Sequence, residues 1–283
     1  MHMNNTSKVM VAAVTAAALT ACKAHRTSVP AHTADARIVR VLFVGNSYTG
    51  YGAIPRRIEE IVNLRVPARR LSADACLLGG ANMKMHFEKR DDNPLVRIST
   101  GQYDWVMLQG GASLFLPDRQ GIFREYLPKF IEACRAHGSV PILVCTWSTA
   151  RTLDGIKTQI AFYEDARTNF NVALVPLAEA WLRVLEEKPE LGMYVDTTGH
   201  PSALGVYLNL CVYYAVFTGR SPLGLAFDVP PIAIAPEHEA VFRTNKYVTL
   251  DTPVMSYLQQ VAAETAARYT AWNQTRISVP ATQ

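Results

Sequence analysis

Three residues spread along this chain have the side chains needed to cleave an acyl bond: Ser47, His200 and Asp196. A serine hydroxyl is a poor nucleophile at neutral pH until a base takes its proton. An imidazole is a suitable base, and a carboxylate behind it fixes the tautomer and stabilises the charge that forms. Ser47 ends the stretch Val41-Leu42-Phe43-Val44-Gly45-Asn46-Ser47, and a helical pattern follows with Ile54, Ile58, Ile61 and Val62 on one face. A short unbroken apolar run reads as a strand buried on both faces, as in a parallel sheet. Ser47 is therefore expected at the carboxyl end of a central strand, where open α/β sheets place their ligands and where a helix start offers N–H groups. The same serine could serve only as a helix cap. His200 stands in Asp196-Thr197-Thr198-Gly199-His200-Pro201-Ser202, ahead of a helix whose first turn is marked by Pro201 and Ser202. The other histidines fit a base less well: three precede residue 33, and His86, His137 and His238 belong to helical or loop patterns.

Gly45-Asn46-Ser47-Tyr48-Thr49 resembles the nucleophile block of the SGNH (GDSL-like) hydrolases. His200-Pro201-Ser202, with Gly205 and Tyr207, resembles their final block, Asp-x-x-His-Pro-Ser followed by a helix. The resemblance spans roughly residues 38 to 270. It implies a three-layer α/β/α sandwich, flavodoxin-like, around a mostly parallel five-stranded sheet. It also implies ester hydrolysis through an acyl-enzyme on Ser47 and His200, with no cofactor and no metal. The oxyanion donors it implies are the N–H of Ser47 and that of Gly80, in Gly79-Gly80-Ala81-Asn82. The family's third donor is an asparagine in a Gly-x-Asn-Asp block, where this chain has Gln109-Gly110-Gly111-Ala112-Ser113. Aligning the glycines puts Ser113 at the asparagine's place, with Gln109 at the strand's end.

The family sets its aspartate three residues before the histidine, a position held here by Thr197, whereas Asp196 lies four before it. Asp196 is preferred as the orienting acid, because a charge-assisted bond is roughly twice as strong as a neutral one and Gly199 can absorb the extra residue. Thr197 and a two-residue Ser47–His200 site are the alternatives. Asn46 beside the nucleophile and Trp147 at the end of the fourth strand are candidate substrate contacts, although Trp147 could equally be packing. The resemblance favours a small-molecule or glycan ester as substrate, with small acyl (acetyl) groups on carbohydrate first. A non-catalytic, carbohydrate-binding protein of the cell envelope on the same scaffold is the alternative.

The elements that must position these residues can be read from periodicity. Strands are expected at Ile38 to Val44, Arg70 to Leu78, Tyr103 to Leu108, Val140 to Cys145 and Val172 to Val175. Helices are expected at Ile54 to Leu64, Phe123 to His137, Ile156 to Phe170 and Ala203 to Thr218, the last apolar nearly all round. Val254, Leu258, Val261, Thr265 and Tyr269 keep helical spacing and predict a final helix. Alternating strands and helices imply right-handed crossovers in a single α/β domain over residues 37–273, followed by a tail at 274–283. Residues 221–250 hold four prolines and show no period.

Charge argues against nucleic acid as a partner, since the net charge is only +4 and there is no Lys/Arg stripe. Residues 1–22 read as a signal peptide: Lys8 precedes an apolar run from Val9 to Ala21 that is too short to span a bilayer. Leu19-Thr20-Ala21-Cys22 resembles the bacterial lipobox, which implies lipidation at Cys22, and Lys23 after it favours the outer membrane, facing the periplasm. Residues 23–36 read as a tether, so the chain is expected to be anchored to a membrane rather than embedded in it. Cys76, Cys134, Cys145 and Cys211 fall inside apolar patterns and read as buried free thiols.

Overall fold

The computed structural model describes residues 37–195, 197–225 and 252–277. The signal and tether segments with Cys22, the aspartate at 196, residues 226–251 and the end of the tail lie outside the described residues. β1 (Ile38–Gly45), β2 (Arg70–Leu77), β3 (Trp105–Leu108), β4 (Val140–Val144) and β5 (Ala173–Val175) form one sheet in the order β2-β1-β3-β4-β5. All four pairings are parallel, with Val44 level with Cys76 on one side and Leu108 on the other. The expected five-stranded α/β sandwich is the one observed. Its strands are continuous apolar runs because helices cover both faces; Val41, Leu42, Val106 and Leu108 are wholly buried.

After β1 comes a single turn, α1 (Ser47–Gly50), then a 3₁₀ turn (Tyr51–Ala53) and α2 (Ile54–Arg65). Two short helices, α3 (Met83–Phe87) and α4 (Pro94–Thr100), separate β2 from β3, and α5 (Pro117–Ala136) and α6 (Leu153–Phe170) follow β3 and β4. The chain then runs through α7 (Leu177–Glu187), α8 (Ala203–Thr218) and α9 (Thr252–Gln274). α2, α8 and α9 pack together over one face, where Phe43 and Trp105 meet Phe217. α3, α4 and α5 pack together over the other, and α7 bridges α6 and α8 beside β5.

Several helices differ from expectation, among them the short α1, α3 and α4, which no apolar period announces. α5 begins at Pro117, six residues ahead of the apolar stripe that starts at Phe123. Its first turn, Pro117-Asp118-Arg119-Gln120, has no core residue to reveal it, and only the proline at the first helical position marks the start. α7 was not expected at all, although Leu177, Ala180, Trp181 and Val184 bury one face at helical spacing.

The chain leaves β1 toward β2 on one side and returns to β3 on the other. The carboxyl ends of β1 and β3 therefore flank the point where the strand order reverses, the usual ligand crevice of such sheets. Ser47 lies two residues beyond β1, and Gln109 follows β3 directly.

Candidate active site

The turn that carries Ser47 is built by Asn46 and Gln109. Asn46 is the N-cap of α1: its Oδ1 accepts from the Tyr48 N–H at 3.0 Å and from Gln109 Nε2 at 2.7 Å. Its backbone N–H donates to Gln109 Oε1 at 3.0 Å, and its Nδ2 donates to the Ala81 carbonyl at 3.2 Å. Thr49 Oγ1 donates to the same Gln109 Oε1 at 2.7 Å, the third bond of the Gln109 side chain. Glycine at 45 is a steric requirement, because a Cβ there would stand 2.4 Å from Gln109 Oε1. Behind the turn, His86 is fully buried and its Nε2 lies 2.9 Å from the Gly45 carbonyl. A carbonyl only accepts, so that nitrogen carries the proton; burial lowers the pKa of His86 and keeps the ring neutral. Capping therefore falls to Asn46, and the Ser47 hydroxyl is directed elsewhere.

It is directed to His200. His200 Nε2 lies 2.9 Å from Ser47 Oγ, across 153 residues of chain. On the far side of the ring, Nδ1 lies 2.6 Å from Thr198 Oγ1. The loop bearing His200 is closed by an antiparallel bridge between Tyr194 and Pro201, with Val195 N–H donating to the His200 carbonyl at 3.0 Å. Two buried side chains fix its tip: Tyr48 Oη donates to the Thr198 carbonyl at 2.9 Å and Trp147 Nε1 to the Gly199 carbonyl at 2.8 Å. Gly199 has φ +87°, in the region that favours glycine, and a Cβ there would fall 2.3 Å from Tyr48 Oη. Ser202 then caps α8.

The other candidates fall into place around this pair. Gly80 is exposed in the turn after β2 with φ +66°, and neither its N–H nor that of Ser47 has a hydrogen-bond acceptor among the described residues. Ser113 is half-buried on the same rim, its Oγ 3.1 Å from Thr149 Oγ1. Gln109, 1% exposed, ties the turn together: its Oε1 accepts from Asn46 N–H and Thr49 Oγ1, and its Nε2 donates to Asn46 Oδ1. Trp147 departs from the substrate-contact role, since it is wholly buried, stacked between Tyr48 at 4.8 Å and Trp181 at 3.7 Å. Asn46, 6% exposed, braces the turn through its side chain and its backbone N–H.

Of the residues weighed behind the base, Asp196 lies outside the described residues, and Thr197 is exposed with no hydrogen bond to a described group. The hydroxyl on Nδ1 is that of Thr198, which sequence spacing did not single out. Tyr51 was missed too, although its ring stacks on His200 at 3.9 Å; no spacing rule points to it. Among the described residues no cluster of three His, Cys, Asp or Glu side chains is placed to hold a metal ion.

No family model matches the sequence, and no curated protein is similar enough in sequence to count as a relative. Solved structures do match. A DUF4886 family protein from Bacteroides uniformis superposes with a TM-score of 0.63 at 14% identity, over 82% of this chain and 95% of the other. A protein from Slackia heliotrinireducens, described as a candidate SGNH hydrolase, superposes with a TM-score of 0.51 at 20% identity, over 63% of this chain and 98% of its own. At such identities the likeness is one of architecture, and it extends over most of the described chain. What this chain shares with them is the fold, a parallel five-stranded sheet between layers of helices.

Proposed function

We propose that the protein is a hydrolase of carboxylic esters in which Ser47 is the nucleophile and His200 the general base. The observation that carries this reading is the 2.9 Å contact between His200 Nε2 and Ser47 Oγ at the carboxyl ends of the sheet. A proton on Nδ1, accepted by Thr198 Oγ1, leaves the Nε2 lone pair free to take the serine proton. As Ser47 Oγ attacks the ester carbon, its proton passes to Nε2 and the carbonyl oxygen becomes an oxyanion. The N–H groups of Ser47 and Gly80 are the donors available to it, and Ser113 stands on the same rim. The imidazolium then protonates the leaving alcohol. Water attacks the acyl-enzyme with His200 again as base, and Ser47 is restored.

Acetyl groups on carbohydrate are the proposed substrate, with the mature chain held at the cell envelope by a lipid on Cys22 and Asp196 as the charged partner of the His200 loop. The family resemblance of Gly45–Thr49 and His200–Ser202 supports the first, and Leu19-Thr20-Ala21-Cys22 supports the second. A screen of acetylated mono- and oligosaccharides against simple aryl esters tests the substrate. The reading expects acetate release from sugars with higher kcat/KM than from aryl esters of longer acyl chains. Binding of glycans without any turnover would instead favour a carbohydrate-binding protein.

A further inference from the structure

Tyr51 is joined to both members of the proposed pair. Its backbone N–H donates to the Ser47 carbonyl, one helical turn back. Its ring lies face to face on the His200 imidazole, with centroids 3.9 Å apart and planes 8° apart. Tyr48, from the same turn, meets the imidazole edge-on at 5.5 Å and 68°. Hydrogen bonds at Nε2 and Nδ1 hold the two ring nitrogens, and a ring held at those two points can still rock about the line joining them. An aromatic face in van der Waals contact opposes that motion.

The backbone is shaped to put the ring there. Gly52 has φ +72° and Ala53 φ +50°, both left-handed, so the chain reverses immediately after Tyr51 before α2 begins. A Cβ on Gly52 would stand 2.5 Å from Val206 Cγ1 in α8, the helix that follows the His200 loop. A left-handed non-glycine residue beside a site signals a conformation that the surrounding structure maintains against its cost.

We propose that Tyr51 is a positioning residue for the base: its π-face holds the imidazole in plane with Ser47 Oγ and stabilises the positive charge that His200 acquires as it takes the serine proton. The ring face is electron-rich and attracts a cation lying over it. The charge exists only while the proton is on His200, so the interaction is stronger in the transition state than in the resting enzyme and acts on kcat. The proposed role belongs to the ring face, not to the hydroxyl. The inference rests on the ester-hydrolase reading.

The test is Tyr51→Phe together with a series in which the phenylalanine at position 51 carries increasing ring fluorination, which keeps its shape and weakens the π-face. With p-nitrophenyl acetate, Tyr51→Phe should stay within about threefold of wild type. kcat should then fall stepwise, by about three- to thirtyfold at the most fluorinated ring, with little change in KM. Tyr51→Leu should lower kcat at least as far. A flat kcat across the fluorinated series, or a loss confined to KM, would overturn the proposal. So would a Tyr51→Phe variant as impaired as Tyr51→Leu. If wild type shows no Ser47-dependent turnover, the ester-hydrolase reading itself is what fails, and the inference with it.

Discussion

At the scale of single residues, the strength of the base depends on the partner behind His200. Thr198 Oγ1 sits 2.6 Å from Nδ1 and can accept the Nδ1 proton, but a hydroxyl brings no net charge to an imidazolium. A carboxylate does, and charge-assisted bonds are roughly twice as strong as neutral ones. We therefore expect the two residues to differ in kind. Thr198→Val should lower kcat by about ten- to a hundredfold through loss of orientation, whereas Asp196→Asn should lower it by about 10² to 10⁴. Thr197→Val should have little effect, since Thr197 bonds to no described group. Steady-state kinetics on the three variants, with thermal melts as a fold control, decides the order; a Thr197→Val variant more damaged than Asp196→Asn would remove Asp196 from the site. Ser47 and His200 were legible because each sits at a break in an apolar pattern, just ahead of a helix. Thr198 and Tyr51 were not. Their contacts depend on how the 194–201 loop closes and on left-handed backbone at Gly52 and Ala53, and neither leaves a periodic trace.

At the scale of elements, the nucleophile turn depends on a bond between β1 and β3 made by one side chain. Gln109 supplies an acceptor for Asn46 N–H and Thr49 Oγ1 and a donor for Asn46 Oδ1, all in a buried setting. Leucine at that position would fill similar volume and leave these polar groups unpaired. Each buried orphan costs about 1–3 kcal/mol. Gln109→Leu should therefore destabilise the domain by about 2–4 kcal/mol in urea titration and reduce turnover as the Ser47 turn loosens. A change below about 0.5 kcal/mol would show that Asn46 holds the turn without it. The sequence placed Gln109 at the end of a strand, which is right, but its bonds to Asn46 and Thr49 leave no trace in spacing. The five strands were legible because a parallel sheet covered on both faces requires unbroken apolar runs. The polar first turn of α5 was hidden for the opposite reason, having no buried residue to mark it.

At the scale of the whole molecule, a parallel sheet, an order reversal between β1 and β3, and two loops from opposite ends of the chain combine to put Ser47 and His200 on one rim. No helix among the described residues is long and apolar enough to cross a membrane. The attachment proposed is a lipid on Cys22, and Cys22→Ser should move the protein out of the membrane fraction or leave it as uncleaved precursor. Normal processing with an unchanged distribution between membrane and soluble fractions would exclude the anchor. The central claim, that Ser47 is an activated nucleophile, is tested most directly by reaction with a serine-directed fluorophosphonate followed by peptide mass mapping. The account predicts stoichiometric modification of wild type on Ser47, none in Ser47→Ala, and a loss of ester hydrolysis of about 10⁴-fold or more in that variant, with its thermal melt preserved. Labelling at another residue, or a Ser47→Ala protein that keeps a tenth of the activity, would contradict it.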